Sequence, residues 1–446
     1  MKNRAVRILM GALFALSLSS CNGETPSGSG SFPISDSQTI SQLKFELDSG
    51  GAYYKVSSVG GEFKNKGPLV IPSTYKGLPV KEIADRGFKS SAMTSLYLPD
   101  TIVSIGKSAF EYCRGLTEVH FGSSLVTIDK NAFHICDSLK ELVMPSSLRV
   151  IGESAFERCE ALSSLELNNN LSSIDAFAFR GCSKLASLTV TENVTHIGSF
   201  AFDSCTSLKK VRLPFCVQSF GAGAFARCTS LKKFELVGGS SAKHLSVNEG
   251  ILFDEDGTTI LSFPAGLESV YVPDGTLYIG NGAYAGTKME IIRIPSNVLA
   301  IGEYAFYACD DLKTVNFGNK VSIVGKSAFE NCLFLESISL PSSIRTVGER
   351  AFYKCEGLIS ISFPDAPLSI GAYALEYCSS LRNVTMGKSV SSIGYRAFRY
   401  AELLVSISYQ GTVEDWGSVT KNTNWCDSTL KTINCTDGSV SLGRTI

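Results

Sequence analysis

The sequence predicts a β-rich solenoid, with one parallel strand per repeat and short helical or 3₁₀ turns between strands. Three observations predict it. A 23-residue unit recurs through most of the 446 residues. Each unit ends in a short apolar–polar alternation, the pattern of a strand with one buried face. No unit is long enough to bury that face alone, so stacked neighbours must cover it and build one continuous core.

The unit reads Ile-Gly-x-x-Ala-Phe-x-x-Cys-x-x-Leu-x-x-Val-x-Leu-Pro-x-x-Leu-x-x. Its first position falls at Ile83, Ile105, Ile128, Ile151, Ile174, Ile197, Phe220, Ile279, Ile301, Val324, Val347, Ile370 and Ile393. The one break is a 59-residue step from Phe220 to Ile279, which reads as a fourteenth repeat carrying an insertion near 241–263, with Val270, Val272 and Pro273 still in register. The second-position Gly (Gly106, Gly198) turns the chain where a Cβ would clash. Ala109-Phe110 and its equivalents suit a short turn that drops one ring into the core. Val119-x-Phe121 continues as a strand, and a proline such as Pro99 or Pro341 then ends it by removing a donor. Strands about 4.8 Å apart make fourteen coils a rod on the order of 65 Å long.

The N-terminus is an address. Lys2, Arg4 and Arg7 precede the apolar stretch Ile8–Leu18, which suits a secretory h-region and is too short to span a bilayer. Small residues before Cys21 resemble the bacterial lipoprotein signal, so residues 1–20 are expected to be a signal peptide and Cys21 the lipidation site. The Gly-, Pro- and Ser-rich residues 21–40 then form a flexible tether. The chain continues as an N-terminal cap and entry repeat at 41–82, the solenoid at 83–408 and a C-terminal cap at 409–446. The lipid would hold the protein at a membrane, firmly only with several acyl chains.

Composition removes other classes. Lys plus Arg is 41 against 42 Asp plus Glu, so no basic stripe points to nucleic acid. Fourteen Cys in so long a chain are too dilute for a small disulfide scaffold.

The pattern resembles the BspA-like bacterial leucine-rich repeats, the 23-residue class with Ala-Phe-x-x-Cys in the turn. Residues 68–83 look like that family's entry repeat. Tyr409-Gln-Gly411-Thr412, Trp416 and Cys435-Thr-Asp437-Gly438 look like its C-terminal closure. The resemblance implies a leucine-rich-repeat solenoid and an exported surface protein, with adhesion to host proteins or matrix as the function class.

Ten Cys share one register position, from Cys113 to Cys228 and from Cys309 to Cys378. A ladder places one thiol per coil in a line, whereas a metal needs ligands converging on a point and a disulfide needs a torsion near 90°. A row of small buried hydrophobes is the expectation, with no metal or other cofactor. Cys426 and Cys435 lie in the C-terminal cap, where a bridge between them is left open. Gly280–Lys288 has the wrong order and context for a phosphate loop. Asp254-Glu255-Asp256-Gly257 lacks the rest of a calcium loop and reads as a hairpin turn. His120, His134, His196 and His244 sit at different register positions, and no nucleophile–base group can be argued from spacing.

Binding is expected on the exposed strand face. Its N-terminal coils offer Glu118, His120, Glu141 and Glu166, the middle coils Lys210, Arg212, Lys233, Glu235, Tyr271 and Arg293, and later coils Ser, Thr and Asn. The face thus runs acidic, basic, then neutral, with Tyr97 and Tyr271 as its aromatics, which favours a protein ligand over a glycan. The expected function is a non-catalytic, lipid-anchored cell-surface scaffold of adhesin type. Its partner would be a protein on another cell or in the extracellular matrix. Two alternatives stand beside it: a glycan-capture surface lipoprotein, and an enzyme using the 241–263 insertion.

Overall fold

The computed structural model describes residues 40–239, 243–427 and 429–443. The expected signal peptide, Cys21 and nearly all of the tether lie outside them. The described chain winds as a stack of coils, most repeats contributing the strand foreseen, such as Glu118–His120, Ser337–Ser339 and Ser360–Phe363. These strands pair in parallel and in register, as in Ser337↔Ser360 and Ile338↔Ile361.

The structure adds a second parallel ladder at the Ile-Gly position. Its strands are two residues long in most coils, as at Thr127–Ile128 and Val150–Ile151, and pair one coil to the next. Two residues are too few to show an alternation, so no sequence period reveals them.

The Ala-Phe-x-x-Cys segment is a chain of overlapping four-residue turns. The N–H groups of Ala109, Glu111 and Cys113 each donate to the carbonyl three residues back. Those of Ser108, Phe110 and Tyr112 donate instead to Lys130, Ala132 and His134 of the next coil at 2.7–2.9 Å. Alternation of the two partners leaves few backbone groups unpaired in a short turn. Its cost is left-handed backbone at Ser108 and Tyr112, at φ 55° and 63°, repeated in coil after coil.

The turns aim one ring per coil into the core. Phe110, Phe133, Phe156, Phe179, Phe202 and Phe225 stack at centroid distances of 5.1–5.3 Å, and Tyr284, Phe306, Phe329 and Phe352 do so at 5.0–5.4 Å. All are buried. The second-position glycine is a close-approach residue: a Cβ on Gly198 would lie 2.3 Å from the Ala176 nitrogen.

The 220–279 step departs from the expected extra coil. At the turn edge the Phe220 coil bonds directly to the Ile279 coil, through Gly223 N–H to Asn281 O and Arg227 N–H to Ala285 O. The inserted strands Leu245–Asn248, Ile251–Asp254 and Thr259–Ser262 form an antiparallel meander, whose last strand joins the Ile-side ladder by pairing in parallel with Tyr278–Ile279. Phe263 slips into the ring stack beside Tyr284 at 4.9 Å, and its N–H takes Ala283 O. The apolar core divides here into two clusters.

The C-terminal end of the core is closed by the helix Val413–Ser418, capped reciprocally by Thr412 and Asp415. Buried Trp416 packs against Tyr409 and Trp425, and Asp437 accepts from Val413 N–H at 2.8 Å.

Candidate functional site

The strand face is held in place because each strand pairs in register with at least one neighbour and its inward residues are core. Its outward residues are therefore held in fixed rows. The structure distributes the residues foreseen there over several sheets. Glu118 and His120 end a three-stranded sheet; Glu141 and Glu166 lie in a pair of strands; Lys210, Arg212 and Lys233 lie in a second three-stranded sheet; Arg293 opens an eight-stranded one.

Three of these residues converge. Strand register sets Lys210 opposite Lys233 and Arg212 opposite Glu235. Like charges directly opposite destabilise a pair, and Glu235 offsets this. Its carboxylate sits 2.6 Å from Lys210 Nζ, 2.7 Å from Lys233 Nζ and 3.3 Å from Arg212 Nε. Hydrogen bonds from Lys210 and Lys233 hold its pKa down to about 2. One carboxylate among three cations leaves the cluster positive. The basic middle is therefore an internally braced group, and Glu235, on the neighbouring strand, is its organiser.

The acidic end is braced differently. The Tyr97 and His120 rings stack at 4.5 Å, Tyr97 donates to Glu118 Oε1 at 3.3 Å, and His120 lies 3.9 Å from Glu118. Glu141 and Glu166 are exposed and not directly opposite one another, since Glu141 pairs with Ser164 and Val143 with Glu166.

Tyr271 is not on a strand. The Val270–Val272 alternation resembles one, but the insertion displaces this segment from the ladder, and Tyr271 donates its hydroxyl to Glu249 at 2.6 Å. The insertion itself is packed: Leu252, Phe253 and Ile260 are buried, and Asp254 Oδ1 accepts from the N–H groups of Thr258 and Thr259 across the hairpin turn.

The ten ladder thiols are all buried, and each donates to the carbonyl of the ring residue one coil back, as from Cys136 to Phe110 at 3.2 Å and from Cys355 to Phe329 at 3.1 Å. Burial pushes thiols such as Cys182 and Cys205 well up, so they stay protonated donors. Cysteine here is both a small hydrophobe and the second donor to a carbonyl that already accepts from a backbone N–H of its own turn. Cys426 and Cys435 are free thiols.

The family model described as the BspA type leucine rich repeat region matches in six copies, across residues 81–179, 150–248 and 277–405. Among solved structures, a leucine rich cell surface protein from Faecalibacterium prausnitzii is 22% identical. That match covers 86% of this chain and 97% of the other, at a TM-score of 0.52. The pneumococcal vaccine antigen PcpA is 21% identical over 90% of this chain and 98% of its own, at a TM-score of 0.59. No curated protein matches the chain.

Proposed function

The chain belongs to the BspA-type leucine-rich-repeat family, and from that membership we propose that it is a non-catalytic, adhesin-like scaffold at the bacterial cell surface, lipid-anchored through Cys21. The observation that carries the reading is the Lys210–Arg212–Lys233 cluster around Glu235 on an uncovered strand face. A positive, preorganised group on rigid strands fits an acidic patch on a protein partner, where charge complementarity gives specificity and encounter rate. Side chains already ordered by Glu235 lose less freedom on binding. The surface location is in keeping with the Faecalibacterium protein, which is described as a cell surface protein.

The test is a pull-down with the unlipidated chain, residues 22–446, against surface and matrix proteins, followed by Lys210→Glu with Arg212→Glu. The double variant weakens capture while the thermal melt is kept. Glu235→Gln, which keeps the three cations and removes the carboxylate that orders them, weakens capture less than the double variant does. Unchanged capture by the double variant rejects the strand-face cluster as the site.

A further inference from the structure

A second surface lies on the turn edge of the last coils, away from the strand face. One coil presents Arg350, Tyr353 and Lys354 there. The next coil places Tyr373, Glu376 and Tyr377 at the same three positions, and the one after it Arg396, Arg399 and Tyr400. The turns bond coil to coil, through Arg350 N–H to Ala372 O and Tyr377 N–H to Arg399 O, so the rows are fixed.

Cations and rings interleave across the three coils. The Arg350 guanidinium lies 4.9 Å from the Tyr353 ring and 5.5 Å from that of Tyr373. Arg396 lies 4.8 Å from the Tyr395 ring and Arg399 4.5 Å from that of Tyr400. Lys354 sits between Tyr353 and Tyr377, and Tyr377 stacks on Tyr400 at 4.5 Å.

What sets these coils apart is that four cations share one nearby carboxylate, Glu376, which interacts with Arg396, Arg399 and Arg350 at longer range without forming a close ion pair. The middle position of this trio carries a charge zipper in the early coils. Lys89, Glu111 and His134 follow one another at 2.9 and 3.4 Å, and Glu157, Arg180 and Asp203 at 3.6 and 3.1 Å. Among the described residues, none of Arg350, Lys354, Arg396 and Arg399 forms an ion pair. The carboxyl in their midst, Glu376, is buried, and burial raises its pKa. Asp427, at the far end, accepts from Tyr400 N–H. The Nε–H groups of Arg350 and Arg396 have no acceptor in the protein. Arginine and tyrosine side chains of this kind make strong binding contacts, through charge and through ring faces.

We propose that this turn edge binds an acidic polysaccharide, its anionic groups taken by the four cations and its sugar faces and hydroxyls by the tyrosines. The stripe is one turn wide and runs along the stack, which suits an extended chain. Arg350 and Arg396 share a register two coils apart, roughly 10 Å at the inter-strand spacing, so such a chain meets a cation at a regular interval. An acidic protein would also satisfy the charge, and poly-glutamate stands for it in the test below.

The test measures binding of the full chain to labelled dextran sulfate, with dextran and poly-glutamate as companion probes. Dextran sulfate binds and dextran does not. Combined Arg350→Gln, Arg396→Gln and Arg399→Gln weakens binding about tenfold or more. The strand-face triple Lys210→Gln, Arg212→Gln, Lys233→Gln leaves it unchanged. Tyr377→Ser with Tyr400→Ser weakens dextran sulfate but not poly-glutamate. Hydrogen exchange on the unaltered chain shows protection at 350–400 when dextran sulfate is added, which keeps the proposal testable if a variant fails to fold. No binding, protection confined to the strand face, or poly-glutamate bound as tightly per charge would overturn it. The last result would reassign the surface to an acidic protein. Because the two surfaces share no residue, failure here leaves the strand-face reading standing, and the reverse.

Discussion

Replacing Phe156 by alanine tests what holds the coils together. Phe156 is fully buried, and its ring lies 5.2 Å from that of Phe133 and 5.3 Å from that of Phe179, at interplanar angles of 2° and 7°. The substitution removes both stacks at once. The space it leaves cannot close, because the backbone around it is pinned on both sides. Phe156 N–H donates to Ala178 O at 2.8 Å, and Phe133 N–H donates to Ala155 O at 2.7 Å. A buried Phe→Ala change of this kind costs about 3–5 kcal/mol. Solenoid stability is a sum of repeat and nearest-neighbour terms, so the loss should be local. Native-state hydrogen exchange reads this directly. Protection falls across the coils from Phe133 to Phe179. It is kept from Phe306 to Phe398, beyond the point where Phe225 meets Phe234 edge-on and the second core cluster begins. Phe156→Leu, which copies buried Leu375 in the equivalent slot, costs less than the alanine variant because it leaves a smaller cavity. Equal loss of protection in both halves would refute nearest-neighbour coupling. A cost under about 1 kcal/mol for the alanine variant would refute the ring stack as the source of cohesion.

Two further outcomes follow from single contacts. Gly198→Ala drives a Cβ into the Ala176 backbone at 2.3 Å and prevents soluble folding or lowers the melting temperature sharply, whereas Gly152→Ala, at 2.9 Å from Ile128 O, is milder; identical melts would show that close approach is not what requires glycine. Glu235 has a folded pKa of about 2 against an ordinary 4.5. A depressed carboxyl contributes stability that is present in full above the ordinary pKa and lost as pH falls through the folded one. The Lys210–Arg212–Lys233 cluster therefore persists through pH 4 and opens only near pH 2, and a carboxyl carbon-13 titration with its midpoint near 4 would show that it does not form in solution.

The fold was legible because its cause is periodic. Thirteen register matches place the core rings, the strands and the close-approach glycines without any tertiary information. What escaped reading depends on contacts between coils. The cysteine ladder reads as small hydrophobes, but the thiol's second task, donating to a carbonyl 26 residues earlier as in Cys332 to Phe306, has no local signature. Val270–Val272 keeps the strand pattern and is not a strand, because the inserted meander sets the segment off the ladder. The basic middle looked like three free cations because Glu235 was weighed as one residue in a row. Strand pairing makes it the neighbour of all three. The Tyr and Arg positions of the turn edge recur at a spacing of 23 residues, so the signal was present. Spacing alone does not show which of these rings and cations meet, because their contacts form only between stacked coils.

The insertion ties these surfaces to the architecture. It does not add a coil. A Cβ on Gly282 would lie 2.0 Å from the Gly223 nitrogen, so at the turn edge the flanking coils touch as closely as any. On the Ile side the strand Thr259–Ser262 pairs with Tyr278–Ile279, and the rest of the meander reaches Lys233–Val237, where Phe234 N–H donates to Gly250 O. The segment is a wedge, and its effect reaches the strand face: Lys233–Val237 is the last strand of one sheet and Ile291–Arg293 the first of the next, with no strand of that face between them. A partner seated on the basic cluster therefore meets the end of a sheet, with the meander beside it. The hydroxyl-rich face beyond Arg293 is a separate platform. The cluster and the turn-edge stripe fall on opposite sides of the wedge, one in each core. The two proposed surfaces share no strand and no residue, so occupancy of one would leave the other open.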